Sequence, residues 1–390
     1  MGNNMYGAST ASVAAPQVAP VAPAPQPQQT PQPEPEAQPT AGGAKRVRIA
    51  INGFGRIGRA FFKLARSHPE FDIVAVNDLG DLANMAYLLK YDSAYGRSDF
   101  DVTIVPPGGG EEPGFVVDGK KVVLVQEKDA TLLPWKKYNI DIVVESTGFF
   151  TAYDKAKVHL DAGAKRVVIT APVKGPAVEG ITGVTVLMGI NQEKLATCQI
   201  SSNASCTTNA ASPVIHILNQ AIGIEKAILN TTHAYTGSQK LVDGPGGKDM
   251  REGRAAAMNM VPTSTGAAIA VTEAVTDLKG KFDGISIRVP VISGSIADVT
   301  FIAKRNTSVE EVNKVLSDAA KDPRWAGIFT VTDEPLVSSD IKGQLYGAIV
   351  SLDMTRVVDG NLVKVLSWYD NEMGYTNTLV MHVAEVAKFV

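Results

Sequence analysis

The sequence is poor in the residues that disulfide scaffolds and metal sites require. Its 390 residues include only two cysteines and five histidines. Two cysteines are too few for a disulfide scaffold and are typical of a reducing compartment, so we expect a cytoplasmic protein. The cysteines form no CxxC pair and the histidines show no HExxH spacing, so we expect no metal site.

Strong charge and long apolar runs are also missing. The net charge is only −3, which gives no electrostatic reason to expect nucleic acid or a membrane surface as the main partner. No apolar stretch approaches the roughly 20 residues that a bilayer-spanning helix needs. With 45% hydrophobic residues, the chain can instead bury a large core, and its length favours two folded domains.

Residues 1–44 differ in composition from the rest of the chain. They contain no lysine or arginine, nine of the 22 prolines, and only Glu34 and Glu36 as charged residues. This composition predicts a disordered Pro/Ala/Gln-rich extension with polyproline II character. It lacks the features of a secretory or mitochondrial signal. Two interpretations stay open, a tether to an unknown partner and an inert spacer.

A dinucleotide-binding motif follows this extension. The apolar segment VRIAIN leads into Gly53-Phe54-Gly55-Arg56-Ile57-Gly58, a helical pattern comes next, and a second apolar segment, FDIVAVN, ends at Asp78. In such a unit Gly53 forms the tight turn, Gly55 admits the pyrophosphate and Gly58 permits close packing of helix and strand. Asp78 would bind the hydroxyls of the adenosine ribose. The pattern predicts a Rossmann-type fold.

Cys206 is the candidate nucleophile. It follows a polar turn, SNAS, and precedes a predicted helix at 210–220. A thiol at a helix start faces unpaired N–H groups and the positive end of the helix dipole, and both favour thiolate. Local sequence alone leaves an inert buried cysteine equally possible, which is the role we assign to Cys198.

His233 is the candidate base. It lies in LNTTHAYTG, which predicts a strand that ends in a turn and could carry the imidazole towards the thiol. His216 is ten residues along the helix from Cys206, or about 15 Å away, and is out of reach. His68, His159 and His382 have ordinary contexts. A cysteine, a histidine and a nicotinamide site together predict oxidation of an aldehyde through an enzyme-bound thioester.

Residues 46–390 resemble phosphorylating, NAD-dependent glyceraldehyde-3-phosphate dehydrogenases. The resemblance is carried, in the order typical of that family, by INGFGRIGR, VNDL, STGFF, SNASCTTN, HAYTG, DGPGGKDMREGR, VPTSTGAA, RVPV and SWYDNEMGY. It implies that Cys206 forms the acyl intermediate, with His233 as the base and the backbone N–H of Cys206 as an oxyanion donor. The substrates would be glyceraldehyde 3-phosphate and inorganic phosphate.

The resemblance also implies the binding residues. NAD would contact the three glycines, Asp78 and a further set consisting of Arg56, Ile57, Ser146, Thr147, Asn371 and Tyr375. Asp78, Leu79 and Pro245 favour NAD over NADP. The phosphate groups would be held by Thr236 and Arg288 for the substrate and by Ser205, Thr265 and Gly266 for the attacking anion, with Thr207 as a further substrate- or phosphate-binding residue. From local sequence, Thr265 could equally cap a helix and Arg288 could be an ordinary strand residue.

Two departures from the family pattern leave the predicted ligands untouched. Ile269 replaces a common lysine, and Ala210 replaces a second cysteine found in many members.

Two alternatives to the glycolytic reaction stay open. One is erythrose-4-phosphate oxidation, which ends in hydrolysis; the other is a tail-anchored scaffold with incidental activity.

The expected architecture is α/β. We expect an NAD-binding domain at 45–205, to which a C-terminal helix at about 372–390 returns. We expect an α+β catalytic domain with a mixed sheet at 206–371. Alternating strand and helix patterns support the NAD-binding domain, and longer strands support the catalytic domain. The resemblance implies a homotetramer in which the glycine-rich connection at 237–258 lines neighbouring NAD sites.

Overall fold

The computed structural model describes residues 46–173, 175, 178–247 and 249–390. The predicted disordered extension, residues 1–44, lies outside the described residues and stays a prediction. None of the helices in the described residues combines the length and apolar character needed to cross a membrane.

The described residues form the following strands and α-helices. The strands are β1 Val47–Asn52, β2 Phe71–Asn77, β3 Tyr91–Asp92, β4 Gly96–Arg97, β5 Val102–Val105, β6 Gly114–Val117, β7 Lys120–Val125, β8 Ile142–Glu145, β9 Arg166–Ile169, β10 Gly183–Thr185, β11 Ile200–Ser202, β12 Ile224–Ala234, β13 Val261–Ser264, β14 Phe282–Val289, β15 Ser295–Ala303, β16 Phe329–Thr332, β17 Ala348–Val358 and β18 Leu362–Tyr369. The helices are α1 Arg56–Ala65, α2 Leu82–Lys90, α3 Tyr153–Asp161, α4 Cys206–Ala221, α5 Ala267–Ala274, α6 Val309–Ala319, α7 Ser338–Ile341 and α8 Met373–Ala387.

The first large sheet contains nine of the described strands. Its order is β10-β11-β9-β8-β1-β2-β7-β6-β5. The strands from β10 to β7 run parallel, and β6 and β5 add an antiparallel edge. β2 and β8 flank β1, so the strand order reverses at β1 and opens a crevice at the carboxyl ends of β1 and β8. This doubly wound sheet confirms the predicted Rossmann-type fold.

The second large sheet is mixed, as predicted. Among the described residues its order is β13-β14-β12-β15-β18-β17-β16. β12 pairs in parallel with β14 and antiparallel with β15. The strands of the first sheet end at Ser202 and those of the second begin at Ile224. The domain boundary between residues 205 and 206 stays a prediction.

Two helices join the sheets around the site. α4 packs on α5, α6 and the β17–β18 pair, and α8 packs on α1 and also contacts α4. The start of α8 therefore lies beside the start of α1, where Glu372 pairs with Arg56. Apolar side chains from both sheets and from these helices form one continuous core. This packing fixes the start of α4 relative to the first sheet.

Candidate active site

Cys206 is the first residue of α4. The Ser205 hydroxyl caps the helix by accepting the Thr208 N–H at 3.0 Å. Ala204 has a φ of +54°, in the left-handed region that alanine seldom adopts, so the turn before the nucleophile is strained. The sequence predicted the helix only from residue 210. In the structure it begins at the thiol itself, because Ser205 supplies the cap.

The structure brings His233 to Cys206. His233 lies near the end of β12, and its Nε2 is 3.4 Å from the Cys206 Sγ. Its Nδ1 lies 2.7 Å from the Ala234 carbonyl oxygen. The carbonyl oxygen only accepts and so favours a hydrogen on Nδ1, whereas the Arg288 guanidinium beside the same nitrogen only donates and opposes it. In the tautomer with the hydrogen on Nδ1, Nε2 presents a lone pair to the thiol. The imidazole is therefore oriented as a base.

Arg288 contributes a positive charge to this pair. It stands opposite His233 on β14, lies beside the His233 Nδ1 and donates to the Ala234 carbonyl oxygen at 3.3 Å. Burial, followed by the Arg288 charge, lowers the pKa of His233 to about 3, which keeps the imidazole neutral near pH 7. Burial raises the pKa of the Cys206 thiol, whereas Arg288 and the Thr207 N–H lower it. The sequence analysis considered only helix-start effects and missed the opposing effect of burial.

Tyr369 supports the pair from behind. Its hydroxyl lies 2.9 Å from the Thr207 Oγ1 and 2.8 Å from the Thr231 Oγ1. Its ring packs edge-on against His233, with 5.9 Å between the ring centroids. These contacts fix the imidazole plane. They also occupy the Thr207 hydroxyl. Its hydrogen bond with Tyr369 therefore competes with the predicted binding of phosphate by that side chain.

The glycine-rich turn has the geometry that a dinucleotide needs. Gly53 has a φ of +94°, and a Cβ there would lie 2.7 Å from the Thr147 backbone nitrogen. A Cβ on Gly58 would lie 2.1 Å from the Gly53 carbonyl oxygen. The space around Gly55 is open, and α1 has no side-chain cap. The first N–H groups of α1 are thus available to a pyrophosphate, so these residues fit the predicted cofactor.

Five of the predicted cofactor residues line one pocket of about 550 Å³. Its walls comprise Asn52, Gly53, Gly55, Asn77, Asp78, Leu79, Glu127, Lys128, Ala130, Leu133, Ser146, Thr147, Phe149 and Phe150. Asp78 accepts the N–H groups of Phe54 at 2.7 Å and Gly80 at 2.9 Å. These bonds hold its carboxylate at the pocket wall, where the sequence placed the ribose contact.

The other predicted cofactor residues do not line this pocket. Arg56 pairs with Asp92 at 2.9 Å and with Glu372, and the bonds to Glu372 raise its pKa. The Asn371 Oδ1 accepts from Ser295 at 3.1 Å. These contacts fix the start of α8. In addition, the Tyr375 hydroxyl donates to the Ala204 carbonyl oxygen at 3.2 Å, and Ile57 packs on the core.

The predicted phosphate residues do not all lie together. Thr236 lines a second cavity of about 340 Å³ with Arg56 and Glu372. The Thr265 hydroxyl accepts the Ala267 N–H at 3.2 Å, which is the capping contact that the sequence left open. Gly266 is the N-cap residue of α5. Their phosphate-binding roles stay predictions.

Sequence reasoning missed a buried polar cluster beneath the 550 Å³ pocket. Asn52, Asn77 and Glu145 are the last residues of β1, β2 and β8, and His159 on α3 joins them. The sequence did contain a signal for this cluster, because each of the three strands is an apolar run that ends in a polar residue at the carboxyl edge of a parallel sheet.

No group of His, Cys, Asp or Glu in the described part of the chain is arranged to hold a metal ion.

A dinucleotide cradle beside a cysteine–histidine pair defines an oxidoreductase with a cysteine nucleophile. Two family models match, namely the NAD binding domain of glyceraldehyde 3-phosphate dehydrogenase over residues 47–153 and its C-terminal domain over residues 205–371. The chain therefore belongs to the glyceraldehyde-3-phosphate dehydrogenase family, and its cofactor is NAD.

Curated relatives agree with this assignment. The glyceraldehyde-3-phosphate dehydrogenase of Zymomonas mobilis is 45% identical over 345 residues, which cover 88% of this chain and 99% of the relative. The Geobacillus stearothermophilus enzyme is 43% identical over 343 residues, covering 87% and 98%. The Mycolicibacterium smegmatis enzyme is 45% identical over 349 residues, covering 88% and 99%.

Proposed function

We propose that this chain oxidises glyceraldehyde 3-phosphate to 1,3-bisphosphoglycerate, with Cys206 as the nucleophile and His233 as the base. The observation that carries the proposal is the 3.4 Å contact between the Cys206 Sγ and the His233 Nε2. The names of the curated relatives support the same substrate.

The proposed reaction begins with proton transfer and addition. His233 Nε2 takes the thiol proton as the sulfur bonds to the aldehyde carbon, and the protonated His233 then returns this proton to the resulting oxyanion to give a thiohemiacetal. The Cys206 backbone N–H, which lies at the helix start without an intrahelical acceptor, stabilises the oxyanion. His233 then removes the hydroxyl proton while the carbon gives up a hydride. NAD supplies the hydride acceptor.

The resulting thioester is cleaved by inorganic phosphate. A phosphate oxygen attacks the acyl carbon, the carbon–sulfur bond breaks, and the acyl phosphate leaves as Cys206 regains its proton. We propose that Thr236 and Arg288 bind the substrate phosphate. Ser205, Thr265 and Gly266 bind the attacking phosphate. The Arg288 guanidinium suits this role because its planar donors match phosphate oxygens.

Phosphate dependence tests the proposal. With glyceraldehyde 3-phosphate and NAD, we expect sustained NADH formation only when phosphate is present, because phosphate releases the acyl group. Without phosphate, formation should stop after about one equivalent per site. Sustained turnover without phosphate would instead indicate thioester hydrolysis, as in the erythrose-4-phosphate alternative.

The charge of Asp78 should exclude NADP. At about 4 Å, repulsion between its carboxylate and a ribose phosphate is worth about 1–4 kcal/mol, depending on solvent exposure. We therefore expect Asp78→Asn, which keeps an oxygen for the Phe54 N–H, to narrow the preference for NAD by about tenfold. The measurement is kcat/KM with each cofactor.

A matched substitution controls for this charge change. Asp81 caps α2 by accepting the Asn84 N–H at 2.8 Å, and Asn caps equally well. Asp81→Asn should leave the cofactor preference unchanged. An equal shift in both variants, or a parent enzyme that uses NADP as well as NAD, would contradict the role of Asp78.

We further propose that the chain forms a homotetramer. The connection at 237–258 exposes large apolar side chains, among them Leu241, Val242, Met250 and Met258. Apolar side chains exposed together on one segment are typical of a protein interface. Sedimentation of the full chain tests this proposal, and a monomer at micromolar concentration would overturn it.

The extension at 1–44 should not be needed for catalysis. Its composition cannot bury enough apolar surface to offset the entropy of ordering. We propose that the protein is located in the cytoplasm. We expect deletion of residues 1–44 to leave turnover, NAD affinity and assembly unchanged within error. Comparison of full-length and truncated protein by activity and sedimentation is the test, and loss of either property would contradict it. A pull-down distinguishes a tether from a spacer.

A further inference from the structure

We propose that Glu145 and His159 are positioning residues that set the affinity for NAD without touching it. Both are fully buried, with Glu145 only 1% exposed and His159 not exposed at all, and neither lines the 550 Å³ pocket. Each nevertheless contacts residues that do line it. The pair thus links the buried interior of the first sheet to the wall of the cofactor site.

The Glu145 carboxylate is a buried acceptor surrounded by donors. It accepts from the Asn52 amide at 2.6 Å, the Thr147 N–H at 2.8 Å, the Thr147 hydroxyl and the His159 Nε2 at 3.0 Å. No lysine or arginine among the described residues forms an ion pair with it. A buried carboxylate without a cation depends on these donors. The Glu145 carboxylate in turn holds these donor groups in position.

His159 is held in one tautomer. Its Nδ1 lies 3.2 Å from the Trp135 Nε1, and an indole N–H can only donate. The Nδ1 therefore carries the lone pair, and Nε2 carries the hydrogen that it donates to Glu145. The His159 ring also packs edge-on against Phe150, with 5.3 Å between centroids, and Phe150 lines the pocket. His159 thus orients both the carboxylate and one aromatic wall.

The bonds continue across the floor of the pocket. The Asn77 amide donates to the Asn52 Oδ1 at 2.7 Å and to the Glu127 carbonyl oxygen at 3.0 Å. Asn52, Asn77 and Thr147 all line the pocket, and Asp78 follows Asn77 directly. Loss of the central acceptor would therefore free side chains on three strand ends at once. Since Asp78 marks the ribose contact, the effect should fall on the adenosine half of NAD.

Glu145→Gln is the direct test. The glutamine amide has one oxygen for four donors and turns an NH₂ group towards them, so we expect the Kd for NAD to rise about 10–100-fold. ADP-ribose, which lacks the nicotinamide, should lose the same factor. At saturating NAD, kcat should stay within about threefold of the parent because Cys206 and His233 are held by other elements. Isothermal titration gives both Kd values.

Variants at His159 keep the test informative if Glu145→Gln fails to fold. His159→Gln can retain a donor to Glu145 and should keep NAD affinity close to that of the parent. His159→Leu cannot, and should weaken NAD binding by roughly tenfold. Nitrogen-15 NMR of labelled histidine should show an Nε2–H signal that disappears in His159→Leu. An Nδ1–H tautomer would overturn the assignment.

Val143→Ala is the matched control for stability. Val143 is also buried in β8 and packs in the same apolar cluster as Trp135, but it has no polar side chain. The Val143→Ala substitution should lower the unfolding temperature while leaving the Kd for NAD unchanged. Parent-like NAD binding by His159→Leu and Glu145→Gln, or an equal loss in Val143→Ala, would show that the pair acts only through stability. If the variants bound NAD more weakly but bound ADP-ribose as tightly as the parent does, the proposed effect on the adenosine half of NAD would be overturned.

Discussion

Cys206→Ser is expected to lower turnover by about 10⁴–10⁶-fold, the usual effect of removing a catalytic nucleophile. A serine hydroxyl is a much weaker nucleophile than a thiol because it forms very little of the anion near neutral pH. The binding site for NAD is built from other residues, so the Kd for NAD should remain within a factor of about two. Steady-state kinetics and titration of NAD measure both quantities.

The second cysteine provides the control. Cys198 is a free thiol that is only 3% exposed, and burial raises its pKa. Cys198→Ser should retain turnover and lose a little stability, because it places a hydroxyl in an apolar environment. Turnover of Cys206→Ser within tenfold of the parent would remove Cys206 from the catalytic role.

His233→Asn is expected to lower turnover by about 10²–10⁴-fold, the usual contribution of a positioned acid–base group. The substitution removes the lone pair that faces the Cys206 Sγ at 3.4 Å. Alkylation of Cys206 near neutral pH should also slow, because the thiol loses its proton acceptor. The rate should then recover only at higher pH, where the solvent removes the proton, since burial raises the thiol pKa. Iodoacetamide kinetics from pH 5 to 9 measure the effect.

His216→Asn is the matched control for this experiment. His216 lies on the same helix as Cys206 but contacts Arg324 and Trp325 instead of the thiol. Turnover and alkylation should be unchanged in this variant. If His233→Asn and the parent alkylate at the same rate across the whole pH range, His233 does not assist the thiol.

Local chemistry made much of the site predictable. Gly53 and Gly58 were identifiable because a tight turn and a close approach of helix to strand require glycine at those positions, and the structure shows both constraints. Cys206 was identifiable because the polar turn before it predicts a helix start. Such signals depend on neighbours in sequence, which is why they can be interpreted without a structure.

Other features depend on residues that are far apart in the chain. Thr207 and Tyr369 are 162 residues apart, and their hydrogen bond explains why the Thr207 hydroxyl is occupied. Glu145 and Asn52 are 93 residues apart and meet only because β1 and β8 pair in parallel. The sequence pattern predicted parallel strands but not which polar ends would face each other, because strand order is a property of the whole sheet.

The sequence by itself determined the kind of chemistry: the glycine turn, the acidic residue after the second strand, the helix-start thiol and a strand-end histidine. The tertiary structure decided how those groups behave. Packing of α4 against the sheets brought Cys206 to His233, buried the imidazole and half-buried the thiol. Desolvation lowers the pKa of His233 and raises that of the thiol, and the change at the thiol opposes the helix-start effect. Desolvation depends on every atom packed around a group, so only the folded chain could supply it.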